Sequence, residues 1–172
     1  HPALDVVRVE FGNVARDRWL WAIHFAQPYV FANASLILYL DADADPKTGR
    51  RDMGCEAMLA HSEGAPGVTG FQPDGSPATF PAPRIALVEG VLYLCHDGPI
   101  RQENGRTILR FTLLSETRRP HAAVDGTGWV MWRVTDENGQ DVIDDLDPCQ
   151  LVWNPSSLLT SRTLRDPADT HH

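Results

Sequence analysis

The sequence predicts an all-β fold, an antiparallel β-sandwich of jelly-roll type with about seven to nine short strands and little helix. Three observations predict it. Apolar residues alternate with period two in one segment after another, as in Trp19, Trp21, Ile23 and Phe25. No stretch keeps a helical period over the ~10–12 residues a persuasive helix needs. Gly, Pro, Asn and Asp recur between the alternating segments and mark turns. Half-buried strands at this spacing must stack as two sheets to hide their apolar faces. With 172 residues, 42% of them apolar and 22% charged, the chain suits one domain spanning residues 1–172, with an irregular tail from about residue 155.

The elements follow in order. Val7, Val9 and Phe11 begin a first strand, and Trp19 to Phe25 give a second with a one-sided apolar face, so Trp19 and Trp21 read as core. Leu36, Leu38 and Leu40, with Ile37 and Tyr39 opposite them, read as a strand buried on both sides. A turn at Asp45-Pro46-Lys47-Thr48-Gly49 leads to a return strand from Cys55 to Ala60. The many Gly and Pro residues of 62–83 predict a long loop with at most a short edge strand. A tight hairpin follows, 85–88 and 91–95 around Glu89-Gly90. Asn104-Gly105 then precedes a strand over 107–114, and Trp129 to Val134 is the last. Short helical turns are expected near Ser115 to Arg118 and Pro155 to Leu159.

The charge narrows the functional classes. A formal net charge of -8 repels phosphate, which argues against nucleic acid and anionic lipid as general partners and favours cationic ones. No apolar stretch approaches the ~20 residues of a membrane-spanning helix, so no membrane insertion is expected. The acids are focused: Asp41, Asp43, Asp45, Asp52 and Glu56 form one cluster, and Asp136, Glu137, Asp141, Asp144, Asp145 and Asp147 another. Such carboxylates repel one another unless water screens them or a cation sits among them.

The segment Asp41-Ala42-Asp43-Ala44-Asp45 sets three carboxylates at alternate positions just past a strand. Hard cations such as Ca²⁺ take 6–8 oxygen ligands, and an Asp-x-Asp-x-Asp run with following carbonyls suits that demand. A solvated hairpin tip is the plainer alternative. The segment is not an EF-hand, because Pro46 stands at the glycine position and Asp52 replaces the bidentate Glu.

The stretch Leu38-Tyr39-Leu40-Asp41-Ala42-Asp43-Ala44-Asp45-Pro46-Lys47-Thr48-Gly49, followed by Gly54-Cys55-Glu56, resembles the strand, acidic turn and return strand of bacterial sugar-binding domains of the ninth carbohydrate-binding module family and the wider DOMON-like group. Trp129 to Val134 followed by Asp144-Asp145-Leu146-Asp147-Pro148 is similar to their last strand and acidic loop, and Arg110 to Leu114 to a late strand. The resemblance implies an exported sandwich, secreted, periplasmic or at the cell surface, often attached to other domains of a glycoside-active protein. It also implies a structural and non-catalytic Ca²⁺, held here by Asp41, Asp43 and Asp45 with Glu56, and with Asp52 as a further candidate. The departure is Cys55-Glu56, where such domains more often carry a small residue and Asp.

A pyranose stacks its C–H face on an indole, so polysaccharide or oligosaccharide binding would use Trp129, Trp132 and Trp153. An enzyme reading has little to stand on. There is no G-x-S-x-G elbow, P-loop or H-E-x-x-H motif, and exposed acids on turns are a poor setting for the raised pKa of a glycosidase acid. The alternative is a small exported metalloprotein with redox activity. Copper would bind through His1 and a second histidine among His24, His61, His96 and His121; the resemblance to DOMON-like domains, some of which hold haem through Met and His, implies haem as the other option, with His24, Met53, Met58 and Met131 available. The chain begins at His1-Pro2 without Met and reads as a mature protein or an excerpt of a longer one. Cys55, Cys95 and Cys149 match no zinc pattern; export predicts one disulfide among them, while three buried thiols is the other reading.

Overall fold

A computed structural model describes residues 1–15, 18–98, 101–103, 106–135, 140–144 and 150–151, and they form two stacked β-sheets. The first sheet holds β1 (Val6–Ala15), β2 (Arg18–Phe25), β7 (Arg84–Val88), β8 (Val91–Asp97) and β14 (Gln150–Leu151), in the order β14-β1-β2-β8-β7. The second holds β3 (Ala34–Asp41), β4 (Ala57–Ser62), β5 (Ala65–Phe71), β6 (Pro77–Ala78), β9 (Arg101–Glu103), β10 (Arg106–Arg118), β11 (His121–Gly126), β12 (Val130–Thr135) and β13 (Gln140–Asp144). Its main path runs β13-β12-β10-β3-β4-β5-β6, with β9 and β11 also paired to β10. Every pairing is antiparallel except β1 with β14. The fold class is therefore as expected. The described residues hold fourteen strand segments, several of only two or three residues, and one single-turn 3₁₀ helix at Pro2–Leu4. None of their helices is long and apolar enough to cross a membrane.

One core lies between the sheets. Phe11 and Trp21 stack at 4.4 Å from the first sheet, and Phe111 of β10 meets Trp21 edge-on at 4.9 Å from the second. Val9, Ile23, Leu92 and Leu94 pack from one side and Leu36, Leu38, Leu40, Leu59, Leu109 and Leu113 from the other. The alternation that predicts β-structure is thus the alternation that fills this layer. Trp19 and Trp21 are both core, as expected.

The strand over residues 36–40 is open on one side. Leu36, Leu38 and Leu40 are fully buried, but Ile37 and Tyr39 on the opposite face are only partly covered. At the start of β1, Val7 is exposed and Val6 buried, because a register shift between Val6 and Arg8 moves the alternation by one residue. The hairpin of β7 and β8 turns at Glu89-Gly90, both at positive φ, 51° and 77°, as a two-residue hairpin requires.

Three local expectations fail, each for a tertiary reason. Residues 62–83, expected as a long loop with at most a short edge strand, contain a seven-residue strand, β5. Beyond β4, β5 pairs only at Gly70 and Phe71 with β6, so the missing N–H of Pro66 falls on an open edge and breaks no ladder. Gly70 is required, since a Cβ there would lie 2.4 Å from the Phe80 ring. The helical turn expected near Ser115 to Arg118 is the end of β10, held between Ala34–Leu36 of β3 and the unforeseen strand β11. The second acidic segment is partly strand, Gln140–Asp144 pairing with β12, and the helical turn expected at 155–159 lies outside the described residues.

The described residues contain no disulfide. Cys55, just before β4, and Cys95, in β8, are both buried free thiols, not bonded to each other, and Cys149 lies outside the described residues.

Candidate metal centre

β3 ends at Asp41, and the chain folds back on itself before β4. Backbone donors organise this turn: Asp45 N–H donates to Asp41 Oδ1 (3.1 Å) and Asp43 Oδ1 (2.9 Å), and Lys47 N–H donates to Asp45 Oδ1 (3.0 Å). These are Asx-type bonds, the reason Asp is favoured in such turns. The return is anchored by Glu56 N–H on the Leu40 carbonyl (2.9 Å), which brings the Glu56 side chain beside the start of the turn. There its Oε2 accepts from Ala42 N–H at 2.7 Å.

Two glycines make this approach sterically feasible. Gly49 has φ +71°, and a Cβ on it would sit 2.3 Å from the Cys55 carbonyl oxygen and 2.6 Å from Glu56 Oε1. Gly54 has φ +63°, and a Cβ on it would lie 2.4 Å from the Pro46 carbonyl oxygen. Only glycine fits at either position.

The result is a pocket of oxygens. One carboxylate oxygen from each of Asp41, Asp43 and Glu56 lies within 4.8 Å of the others. Thr48 Oγ1 stands among them, 3.0 Å from Asp43 Oδ1, Asp43 Oδ2 and Glu56 Oε1, and 2.9 Å from the Asp45 carbonyl oxygen. The hydroxyl has one proton for four acceptors, of which Asp43 Oδ1 and the Asp45 carbonyl also accept from backbone N–H groups. Asp41 is completely buried, and its Oδ2 has no hydrogen bond. The nearest cation to it is Arg110, whose Nε is 3.5 Å away from the neighbouring strand β10.

Burial, then the adjacent Asp43 carboxyl, push Asp41 up to about 7 against the pull of Arg110. Burial also raises Glu56, despite bonds from Ala42 N–H and Thr48 that favour its charged form. Both shifts record the cost of anions with too little positive charge nearby. Burial pushes the Cys55 thiol up to about 11, which keeps it an unreactive thiol beside the carboxylates.

This arrangement fits a hard divalent cation. Ca²⁺ binds oxygen at ~2.3–2.6 Å, so ligands on opposite sides of it stand ~5 Å apart, the scale of the carboxylate cluster. Every donor is oxygen, which suits Ca²⁺ and not a soft metal. Asp41, Asp43, Glu56 and Thr48 are the residues that would hold it, with the orphaned Asp41 Oδ2 as the clearest vacancy in the hydrogen bonding.

Of the five carboxylates expected as ligands, the structure gathers Asp41, Asp43 and Glu56. The Asp45 side chain serves its own turn, and its carbonyl faces Thr48. Asp52 is exposed and paired with Arg50 at 2.6 Å. Thr48 and Arg110 went unnoticed as functional residues: Thr48 stands inside the quoted motif, whereas nothing local links Arg110 to residue 41. Of the aromatic candidates, Trp129 is half-buried with the Arg110 guanidinium 4.6 Å from its ring centroid. Trp132 lies in β12 opposite Leu109, and Trp153 lies outside the described residues.

Four of the histidines named for copper or haem, His24, His61, His96 and His121, are placed in hydrogen bonds of their own. His24 Nε2 is 3.0 Å from Glu10, and His121 Nε2 is 3.2 Å from Glu116. His61 Nδ1 accepts from Gly64 N–H and its Nε2 meets the Tyr29 hydroxyl at 2.8 Å, while His96 Nε2 accepts from the Trp21 indole N–H at 2.8 Å. Met58 Sδ accepts from Arg50 at 3.0 Å. Burial pushes His61 and His96 down to about 4 each. Their folded pKa lies below the ordinary 6.5, so in the window between, the unfolded chain binds more protons than the fold. These two groups therefore contribute stability that is complete above about pH 6.5 and lost as pH falls toward 4. The raised Asp41 and Glu56 carboxyls work the other way, so the histidine contribution is read by difference. Urea unfolding of the wild type and His61→Gln at pH 7 and pH 5 is expected to show that the substitution costs less stability at pH 5 than at pH 7. An equal cost at the two pH values would contradict the neutral, buried assignment.

No protein-family model, curated protein or solved structure matches this chain.

Proposed function

We propose that the protein is a non-catalytic carbohydrate-binding module of the exported kind, with a structural Ca²⁺ in the turn of Asp41, Asp43, Thr48 and Glu56. The observation that carries the calcium part is the completely buried Asp41, whose Oδ2 lacks a hydrogen bond inside an all-oxygen pocket. An ion there would balance the carboxylates and tie β3 to the return strand β4. The residues around it bind and orient: Ala42 N–H and Thr48 hold Glu56, and Asp45 N–H holds Asp41 and Asp43.

The carbohydrate part is supported by the two-sheet scaffold and by the resemblance of residues 38–56 to sugar-binding domains, with Trp129, Trp132 and Trp153 as stacking candidates. Polysaccharide or oligosaccharide would be the partner, outside the cytoplasm, and other domains of a parent protein would carry any chemistry.

Calorimetric titration with Ca²⁺ and pull-down on insoluble cellulose, xylan and chitin test the two parts separately. The expected outcome is saturable Ca²⁺ binding, and retention on at least one polysaccharide that weakens in chelator. Absence of Ca²⁺ binding would sink the first part, and passage through every matrix in calcium buffer the second.

A further inference from the structure

We infer that Arg110 is a resident counter-ion of the acidic turn: it neutralises Asp41 in the cation-free protein, yields that carboxylate when a divalent cation binds, and through its stack on Trp129 carries the change to that ring. The inference rests on the reading of the turn as a cation site and goes beyond it. It assigns a role to two residues of β10 and its neighbourhood that no ligand chemistry requires.

The geometry is a chain of three groups. Asp41 and Arg110 are register partners on β3 and β10, which places the guanidinium beside the carboxylate. The pairing is one-pointed, through Nε at 3.5 Å, and lacks the two short parallel bonds of a strong arginine–carboxylate fork. Asp41 is wholly buried and the Arg110 side chain only 16% exposed, so water screens the pair poorly. Removing Arg110 would leave a buried carboxylate with neither hydrogen bond nor cation at Oδ2, which would cost the cation-free fold stability.

The guanidinium also has a second anchor. Its carbon stands 4.6 Å from the centroid of the Trp129 ring, inside the range of a cation–π contact. An ion on Asp41 Oδ2 competes for the atom Arg110 faces, and two positive groups at one carboxylate repel. The ring holds the displaced guanidinium without any need for a new partner. Arg110 therefore opposes cation binding and links it to Trp129, and the linkage acts equally in both directions.

Calcium titrations of the wild type, Arg110→Met, Arg110→Lys and Trp129→Phe test this, read by calorimetry and by tryptophan emission. In the wild type, emission is expected to change with the calorimetric midpoint. The change disappears in Trp129→Phe, which still binds Ca²⁺. Arg110→Met, with the competing charge gone, is expected to bind roughly tenfold more tightly and to unfold at lower temperature in chelator. Arg110→Lys keeps the charge without the planar stack, so it is expected to bind as the wild type does with a smaller emission change, and it serves if Arg110→Met fails to fold. Unchanged or weaker affinity in Arg110→Met, or a full emission response in Trp129→Phe, would overturn the role of Arg110 while leaving the cation site standing. Failure of the wild type to bind Ca²⁺ would overturn both.

Discussion

Chelation with EDTA at pH 8 is expected to lower the unfolding temperature of the wild type by roughly 5–10 °C. A ligand at ~100 times its dissociation constant stabilises by ~2.7 kcal/mol, and a domain of this size moves ~2–4 °C per kcal/mol. The direction follows from Asp41. Its folded pKa, about 7, lies above its ordinary 3.8, so the cation-free fold loses stability as pH rises through that window. At pH 8 the carboxylate is charged and the penalty is complete, which is where an ion relieves most. The calcium increment in unfolding temperature is therefore expected to grow between pH 5 and pH 8. Asp41→Asn removes the buried charge without changing the side chain's shape. It is expected to unfold in EDTA no earlier than the wild type does, and to gain nothing from added Ca²⁺. A wild type indifferent to EDTA, or an Asp41→Asn variant that still responds to calcium, would end the assignment. Scanning calorimetry on both proteins at two pH values supplies all four results.

Gly49→Ala is expected to cost about 3 kcal/mol and to abolish Ca²⁺ binding together. Left-handed backbone costs a non-glycine residue ~1–2 kcal/mol before any contact is counted. The new Cβ would meet the Cys55 carbonyl oxygen at 2.3 Å, and backbone cannot rotate away as a side chain can. Its other neighbour is Glu56 Oε1 at 2.6 Å, so the relaxation that relieves the clash moves a proposed ligand. Gly67→Ala, in β5, is the control: a Cβ there meets nothing within 4 Å, and stability should change by less than ~1 kcal/mol. Urea unfolding and calcium calorimetry on the two variants decide it. Gly49→Ala retaining wild-type affinity would show that the turn does not form the cation pocket.

Much of this architecture is visible in the residues. The alternation of Trp19, Trp21, Ile23 and Phe25, or of Leu36, Leu38 and Leu40, is a direct record of which side faces the core. It is legible because side-chain direction in a strand reverses at each residue. The turn from Asp41 to Gly49 is equally local, since its bonds span two to five positions. Where local signals mislead, a distant partner outweighs them. The segment Ala65–Phe71, despite Pro66, Gly67 and Gly70, becomes a strand because β4 offers it a ladder, and Ser115 to Arg118 stays extended because β3 and β11 flank it.

The amino-acid order was enough to predict a two-layered β scaffold, its buried faces and an acidic turn. These follow from periodicity and turn preference, which act over a few neighbouring residues. It could not say which acids converge. That Asp41, Asp43 and Glu56 meet around Thr48, that Asp52 turns to Arg50 instead, and that Arg110 lies between Asp41 and Trp129 follow from the register of β3 against β4 and β10. Register is a property of paired strands, set by how a whole sheet packs its apolar side, and residue 110 bears no mark of residue 41 until the two lie opposite each other.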